Sequence, residues 1–232
     1  MSRNVLMLGD VHSAFGYVTR AIDHHRKTLE AEGKSLDQVI QVGDFGHYFA
    51  GARMNSKGFG VPFYFIDGNH DNIPWLKSLK APYEVADNTF YVPRATHLNG
   101  INFLGGAQSI DKLVRKAGYD WFEEEIPDDD ELEAFEVLPP AQVWVTHTGP
   151  ADFVREAIHL KDCLDPVSLA LEKIYKRCPH KPEYWFSGHL HTRFGRLYQE
   201  ETTKIVLDCV HSRLDQNYEQ IPPDRGFLLT MD

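Results

Sequence analysis

The chain has 232 residues with 42% hydrophobic content, enough to bury one substantial core, and residues 1–232 are expected to form a single domain. A formal net charge of −10 disfavours sequence-independent binding to long nucleic acid. Cys163, Cys178 and Cys209 lack CxxC spacing, which excludes a disulfide framework or zinc ribbon, and the apolar start is too short for a signal peptide or membrane anchor; a reduced, cytoplasmic setting with no membrane partner is expected.

In chain order, residues 5–8 are an apolar run that stops at Gly9-Asp10, which predicts a buried strand delivering polar residues at its end. Residues 14–32 read as a helix. A second apolar strand at 38–42 ends at Gly43-Asp44, and a third at 61–66 ends at Asp67-Gly68-Asn69-His70, after which Pro74 opens a helix near its first turn. Successive strands that each end in a small residue and then a metal-capable one are the layout of an α/β sheet with its chemistry beyond the strand ends. Further strands are predicted at 90–92, 101–104, 142–145 before His147, and 184–186 before Gly188-His189. Alternating runs at 194–198, 204–207 and 227–230 predict antiparallel strands. Leu138-Pro139-Pro140 is read as an internal loop, and the acids at 123–125 and 128–131 as a solvated loop or helix start.

Of twelve histidines, His12, His70, His147, His189 and His191 follow strand-like runs beside Asp, Asn or Gly. In Asp10-Val11-His12, alternate residues of an extended segment point to one side, so a carboxylate and an imidazole can grip one ion; His189-Leu190-His191 offers two imidazoles by the same alternation. Asp44 has two oxygens with which to bridge two ions, Asn69 adds a carbonyl oxygen, and His147 adds a nitrogen. Such a nitrogen and oxygen set without thiolate suits manganese, iron, zinc, cobalt or nickel better than calcium or a Cys-rich structural zinc.

Taken together and in this order, Asp10-x-His12, Gly43-Asp44, Gly68-Asn69-His70-Asp71, His147 and Gly188-His189-x-His191 resemble the signature of the calcineurin-like metallophosphoesterase superfamily. The match runs over residues 8–191. The resemblance implies a four-layer α/β/β/α sandwich with a dinuclear metal centre at the strand ends, holding two divalent transition-metal ions, manganese foremost. By its pattern Asp10, His12 and His191 hold one ion, Asn69, His147 and His189 hold the other, and Asp44 bridges them. His70 contacts the phosphate and protonates the leaving group. The implied activity is hydrolysis of a small phosphate ester by a metal-bound water or hydroxide, favouring phosphodiesters such as cyclic nucleotides. The alternatives are a phosphomonoesterase, a nuclease or a non-catalytic scaffold, and the intact ligand set with His70 argues for the enzyme.

One departure stands out: many relatives carry an aspartate three residues after the bridging one, where this chain has His47, either a polar loop residue or an active-site group. The missing Arg-Gly beyond it weakens any claim to be a Ser/Thr protein phosphatase. The segment 103–112, with Arg115 and Trp121-Phe122, resembles a bacterial and phage branch. Lys112 and Arg115 are candidates to bind a phosphate oxygen or nucleotide, or else to pair with the downstream acids. Trp121 and Phe122 are expected in the core rather than as a base-stacking platform.

Overall fold

The computed structural model describes residues 2–47, 49, 51–159, 161–191 and 222–231, and the backbone of 194–197 and 204–207. Its strands and helices run β1 (Arg3–Leu8), α1 (Phe15–Ala31), β2 (Gln38–Gln41), β3 (Phe63–Phe65), α2 (Ile73–Ser78), β4 (Glu84–Ala86), β5 (Thr89–Tyr91), β6 (Thr96–Leu98) and β7 (Ile101–Leu104). There follow α3 (Asp129–Glu136), β8 (Val143–Thr146), α4 (Ala151–Ala157), α5 (Pro166–Arg177), β9 (Tyr184–Ser187), β10 (Phe194–Leu197), β11 (Lys204–Leu207) and β12 (Phe227–Met231).

Side-chain alternation along the central strands sorts the apolar residues into layers. On β1, Leu6 and Leu8 join Val39, Phe63 and Phe65 against Tyr17, Val18, Ala21 and Ile22, the buried stripe of α1. Val5 and Met7 face the opposite way, meeting Ile101, Phe103, Val143, Val145 and Phe186 of a second sheet. The far side of that sheet packs Leu104, Trp144 and Trp185 on Phe135, Phe153, Leu171 and Tyr175 of α3, α4 and α5. The layers are therefore helix, sheet, sheet, helix, as expected. Phe103, 1% exposed between the sheets, is the kind of residue whose truncation to Ala costs about 3–5 kcal/mol in transfer and cavity terms.

Each sheet has six strands, in the orders β12-β1-β2-β3-β5-β4 and β10-β11-β9-β8-β7-β6. The pairs β1·β2, β2·β3, β3·β5, β7·β8, β8·β9 and β9·β11 are parallel, so the loops after β1, β2 and β3 leave one sheet in a common direction and those after β8 and β9 leave the other likewise. The late strands differ in part from expectation. While β10 with β11 and β12 with β1 are antiparallel, β11 runs parallel to β9, and Tyr198 lies outside the described residues.

Pro74 sits in the first turn of α2 as predicted, and Asn72 caps that helix by accepting from Trp75 N at 3.1 Å. The acids at 128–131 start α3 through a capping box between Asp128 and Glu131. Glu125 corrects the expectation of a solvated patch, being 2% exposed. Cys163 and Cys178 are free thiols, and Cys209 lies outside the described residues. Among the described residues no helix is long and apolar enough to cross a membrane.

Candidate metal centre

The loops after β1, β2, β3, β8 and β9 converge, and the seven residues singled out in the sequence meet there. One ligand atom from each of Asp10, His12, Asp44 and His191 lies within 4.8 Å of the others. His12 Nε2 stands 2.9 Å from His191 Nε2 and 3.6 Å from Asp44 Oδ2. Beside this group, His147 Nε2 lies 3.3 Å from Asp44 Oδ1 and 3.1 Å from Asn69 Oδ1, which is in turn 2.9 Å from His189 Nδ1. Asp44 thus presents one oxygen to each group. His147 Nδ1 lies 2.9 Å from Val42 O and donates to it, which leaves the lone pair on Nε2 facing the cluster.

The backbone at these positions is not the extended chain that alternation assumed. His12 (φ 42°), Asp44 (φ 56°), His189 (φ 68°) and His191 (φ 48°) are all left-handed, so tight turns, rather than strand pleating, bring these side chains together. The turns are tied to one another. His12 N donates to Asp44 O at 2.8 Å, His189 N to Asp10 Oδ1 at 2.8 Å, and His70 N to Asp44 Oδ1 at 2.7 Å. Two glycines admit this closeness: a Cβ on Gly68 would strike the Asp44 carboxylate and the His147 ring, and one on Gly188 would strike the Asp10 carboxylate.

The donor set fits divalent transition metals. Asp10 and Asp44 are both 0% exposed, yet Asp10 Oδ2 and Asp44 Oδ2 have no hydrogen-bond partner. A buried, partnerless carboxylate oxygen is costly unless a cation completes it. Burial, and after it the Asp10 carboxylate, push the Asp44 carboxyl well above its usual range. Burial followed by His147, His191 and His70 holds the His189 imidazole well below its usual value, in the neutral form that binds metal.

Arg115 reaches this centre. Its side chain, 4% exposed, pairs with Asp111 Oδ1 at 2.8 Å and donates to Asn69 O at 2.9 Å and Asp120 O at 3.2 Å. Nη2 lies 3.0 Å from His70 Nδ1 and also touches His70 Nε2. Burial first and Arg115 second lower the His70 pKa to about 3. Lys112 does not share this position; its Nζ lies 4.1 Å from the centroid of the Trp121 ring. The acid that Arg115 pairs with is Asp111 rather than the patch downstream. Phe122 is buried, as expected of a core residue, whereas Trp121 is half-buried under Lys112.

His47 packs among Met54, Phe15 and Trp75. It is 5% exposed, its Nδ1 accepts from Met54 N at 3.0 Å, and its ring meets Phe15 and Trp75 edge-on. Burial, then Arg53, brings its pKa to about 4, so it is neutral.

Sequence reasoning missed three supporting groups. Asp71, 1% exposed, accepts from Gly46 N at 2.6 Å, Gly68 N at 2.8 Å and Phe45 N at 3.2 Å, stapling the Asp44 loop to the Asn69 loop. Burial and then Asp44 raise its pKa to about 7. Asp71 closes the Gly68-Asn69-His70-Asp71 motif. Glu125 and Ser109 form a chain to Asn69, with Ser109 Oγ donating to Glu125 Oε2 at 2.5 Å and accepting from Asn69 Nδ2 at 3.2 Å. Asp67, just before Gly68, is held by Tyr91 Oη at 2.9 Å and by Arg94 Nη2 at 2.7 Å.

Comparison with known proteins matches residues 3–193 to the family model described as calcineurin-like phosphoesterase. The chain is similar to the lariat debranching enzyme of Schizosaccharomyces pombe, 24% identical over 87% of this chain and 46% of that protein. It is similar also to the lariat debranching enzyme of Danio rerio, 25% identical over 79% of this chain and 35% of that protein. The chain thus spans less than half the length of these curated relatives. Among solved structures, TT1561 of Thermus thermophilus shares the fold at 13% identity, with 90% of each chain covered and a TM-score of 0.50.

Proposed function

The chain belongs to the calcineurin-like phosphoesterase family, and from that premise we propose that it is a two-metal phosphoesterase that cleaves phosphodiesters, cyclic nucleotides among them, in preference to monoesters. The observation that carries this reading is the pair of buried, partnerless oxygens, Asp10 Oδ2 and Asp44 Oδ2, set among four imidazoles and an amide oxygen. Asp10, His12 and His191 hold one ion in this reading, Asn69, His147 and His189 the other, and Asp44 both, with manganese the foremost candidate. Two divalent cations supply neutralisation of phosphate oxygens and a water acidic enough to attack phosphorus in line.

The chain's own residues do the rest. Arg115, anchored by Asp111 and two backbone carbonyls, offers a guanidinium to a phosphate oxygen without having to be ordered first. A phosphate bound at Arg115 Nη2 beside the His70 ring offsets the guanidinium charge that, after burial, lowers the ring's basicity. The imidazole then holds the proton that a departing alkoxide needs. A single guanidinium beside His70 suits the single charge of a diester, and the debranching for which two relatives are named points the same way. Lys112, engaged with Trp121, has no part in this reading.

The test is a screen of the manganese-reconstituted protein on bis-p-nitrophenyl phosphate, p-nitrophenyl phosphate and cyclic nucleotides. The diesters are expected to be hydrolysed at least about tenfold faster than the monoester, with activity abolished by a chelator. Faster monoester cleavage overturns the diester preference, and a metal-loaded protein inert on every ester overturns the reading as a whole.

A further inference from the structure

A cavity of about 490 Å³ opens directly against His189 and Leu190. Its wall is largely aliphatic, with Ile110, Val154, Ile158 and Leu164 facing Leu190. Two of these, Ile110 (96% exposed) and Leu164 (82% exposed), stand almost fully in water. Isolated exposed aliphatics carry no message, but here two of them line one concavity that shares a wall residue with the proposed metal centre. Among the described lining residues, Asp162 and Asp165 are the charged ones. Asp165 is already committed to capping α5, accepting from Val167 N at 3.1 Å and Ser168 Oγ at 2.7 Å.

We propose that this cavity receives the organic group of the substrate, and that it selects a phosphate ester bearing an uncharged group of nucleoside size over one bearing only a methyl group. The inference rests on the metal-centre reading above, because contact with His189 is what places a bound phosphate at the mouth of the cavity. A nucleoside entering from that phosphate covers Ile110 and Leu164 and removes their side chains from water, a gain proportional to the apolar area buried. The volume is within the range of small-molecule sites.

The test is calorimetric titration of the manganese-loaded protein with inorganic phosphate, methyl phosphate and adenosine 5′-monophosphate, in the parent and in an Ile110→Asn, Leu164→Asn double variant. Both sites are exposed, so an unchanged melting temperature is expected for the variant. The nucleotide should bind at least about tenfold more tightly than methyl phosphate, and the double variant should erase that margin while leaving the affinity for inorganic phosphate intact. If phosphate and methyl phosphate bind but the nucleotide gains nothing, or if the variant weakens all three alike, the cavity is not the selecting site and the proposal fails. If inorganic phosphate itself does not bind the metal-loaded protein, the phosphoesterase reading fails and takes the proposal with it.

Discussion

The Asn69 amide is turned by Ser109: its Nδ2 donates to Ser109 Oγ at 3.2 Å, which leaves Oδ1 as the atom facing His189 Nδ1 at 2.9 Å. Only the oxygen end of an amide can bind a cation, so the partner on the nitrogen end decides whether Asn69 is a ligand. Glu125 fixes that partner by accepting from both Ser109 N at 2.9 Å and Ser109 Oγ. Ser109→Ala and Glu125→Gln should each weaken binding of one of two ions by about 10–100-fold and leave the other unchanged, with Ser109→Thr restoring it. Stepwise metal titration by calorimetry reads this, and equal weakening of both ions would show a general loss of structure instead.

The ions should respond differently to losing Asp44 and losing His12. Asp44→Asn removes the charge that faces both groups of ligands and should weaken both ions, whereas His12→Ala should weaken mainly one. Loss of a single ion in both variants would refute the bridging role.

Metal stabilisation should grow with pH. The Asp44 carboxyl is raised by burial and Asp10, and Asp71 is raised to about 7 by burial and Asp44. A raised carboxyl contributes stability that is complete below its unfolded value of about 4 and is lost as pH climbs through the folded value. The metal-free chain carries that cost near neutrality, and cations remove it. The rise in melting temperature caused by saturating manganese should therefore be larger at pH 8 than at pH 5; an equal rise at both would count against the carboxylates as the linked groups.

His47 acts with the opposite sign. Its folded pKa of about 4 lies below the unfolded value of about 6.5, so its contribution is full above 6.5 and falls away as pH drops toward 4. The full shift corresponds to at most about 3 kcal/mol. Denaturant midpoints of metal-free parent and His47→Gln protein, compared across that window so that the carboxyl effects cancel, should converge as pH falls. Parallel curves would mean that His47 is not buried in its neutral form.

His70→Ala should keep both ions yet lose turnover. General acid catalysis is worth about a hundredfold to ten-thousandfold, more where the leaving group is a poor anion. The loss should be large on a nucleoside phosphodiester and small on p-nitrophenyl esters. Equal losses would mean that His70 binds phosphate rather than delivering a proton. Arg115→Ala should raise KM more than it lowers kcat, and Arg115→Lys should rescue poorly because an ammonium cannot reach Asp111, Asn69 O and phosphate together.

Much of the candidate site was legible because its proposed ligands stand where apolar runs stop: Leu8 before Gly9-Asp10, Val42 before Gly43-Asp44, Val145 shortly before His147. That punctuation survives in one dimension. The route by which the side chains turn inward does not, since nothing in Asp10-Val11-His12 announces a left-handed residue, and pleating was the simpler guess. Glu125 was hidden for a different reason. It sits in a run of acids that reads as solvated, and only the fold brings Ser109 to it across sixteen residues. Strands β4 and β6, Glu-Val-Ala and Thr-His-Leu, carry no apolar run, unlike the equally short β3 and β5, and so leave no signal in the sequence.

The left-handed turns at His12 and His191 also set a trade-off between robustness and activity. A histidine held there costs about 1–3 kcal/mol that a glycine would not, before the glycine's own loss of freedom is counted. His12→Gly and His191→Gly are thus positions where a selection for thermal tolerance alone, blind to catalysis, has something to gain. Anyone transplanting this centre to another scaffold faces the same fact from the other side. Copying the side chains onto straight strands carries over the donors and leaves behind the torsions that aim them.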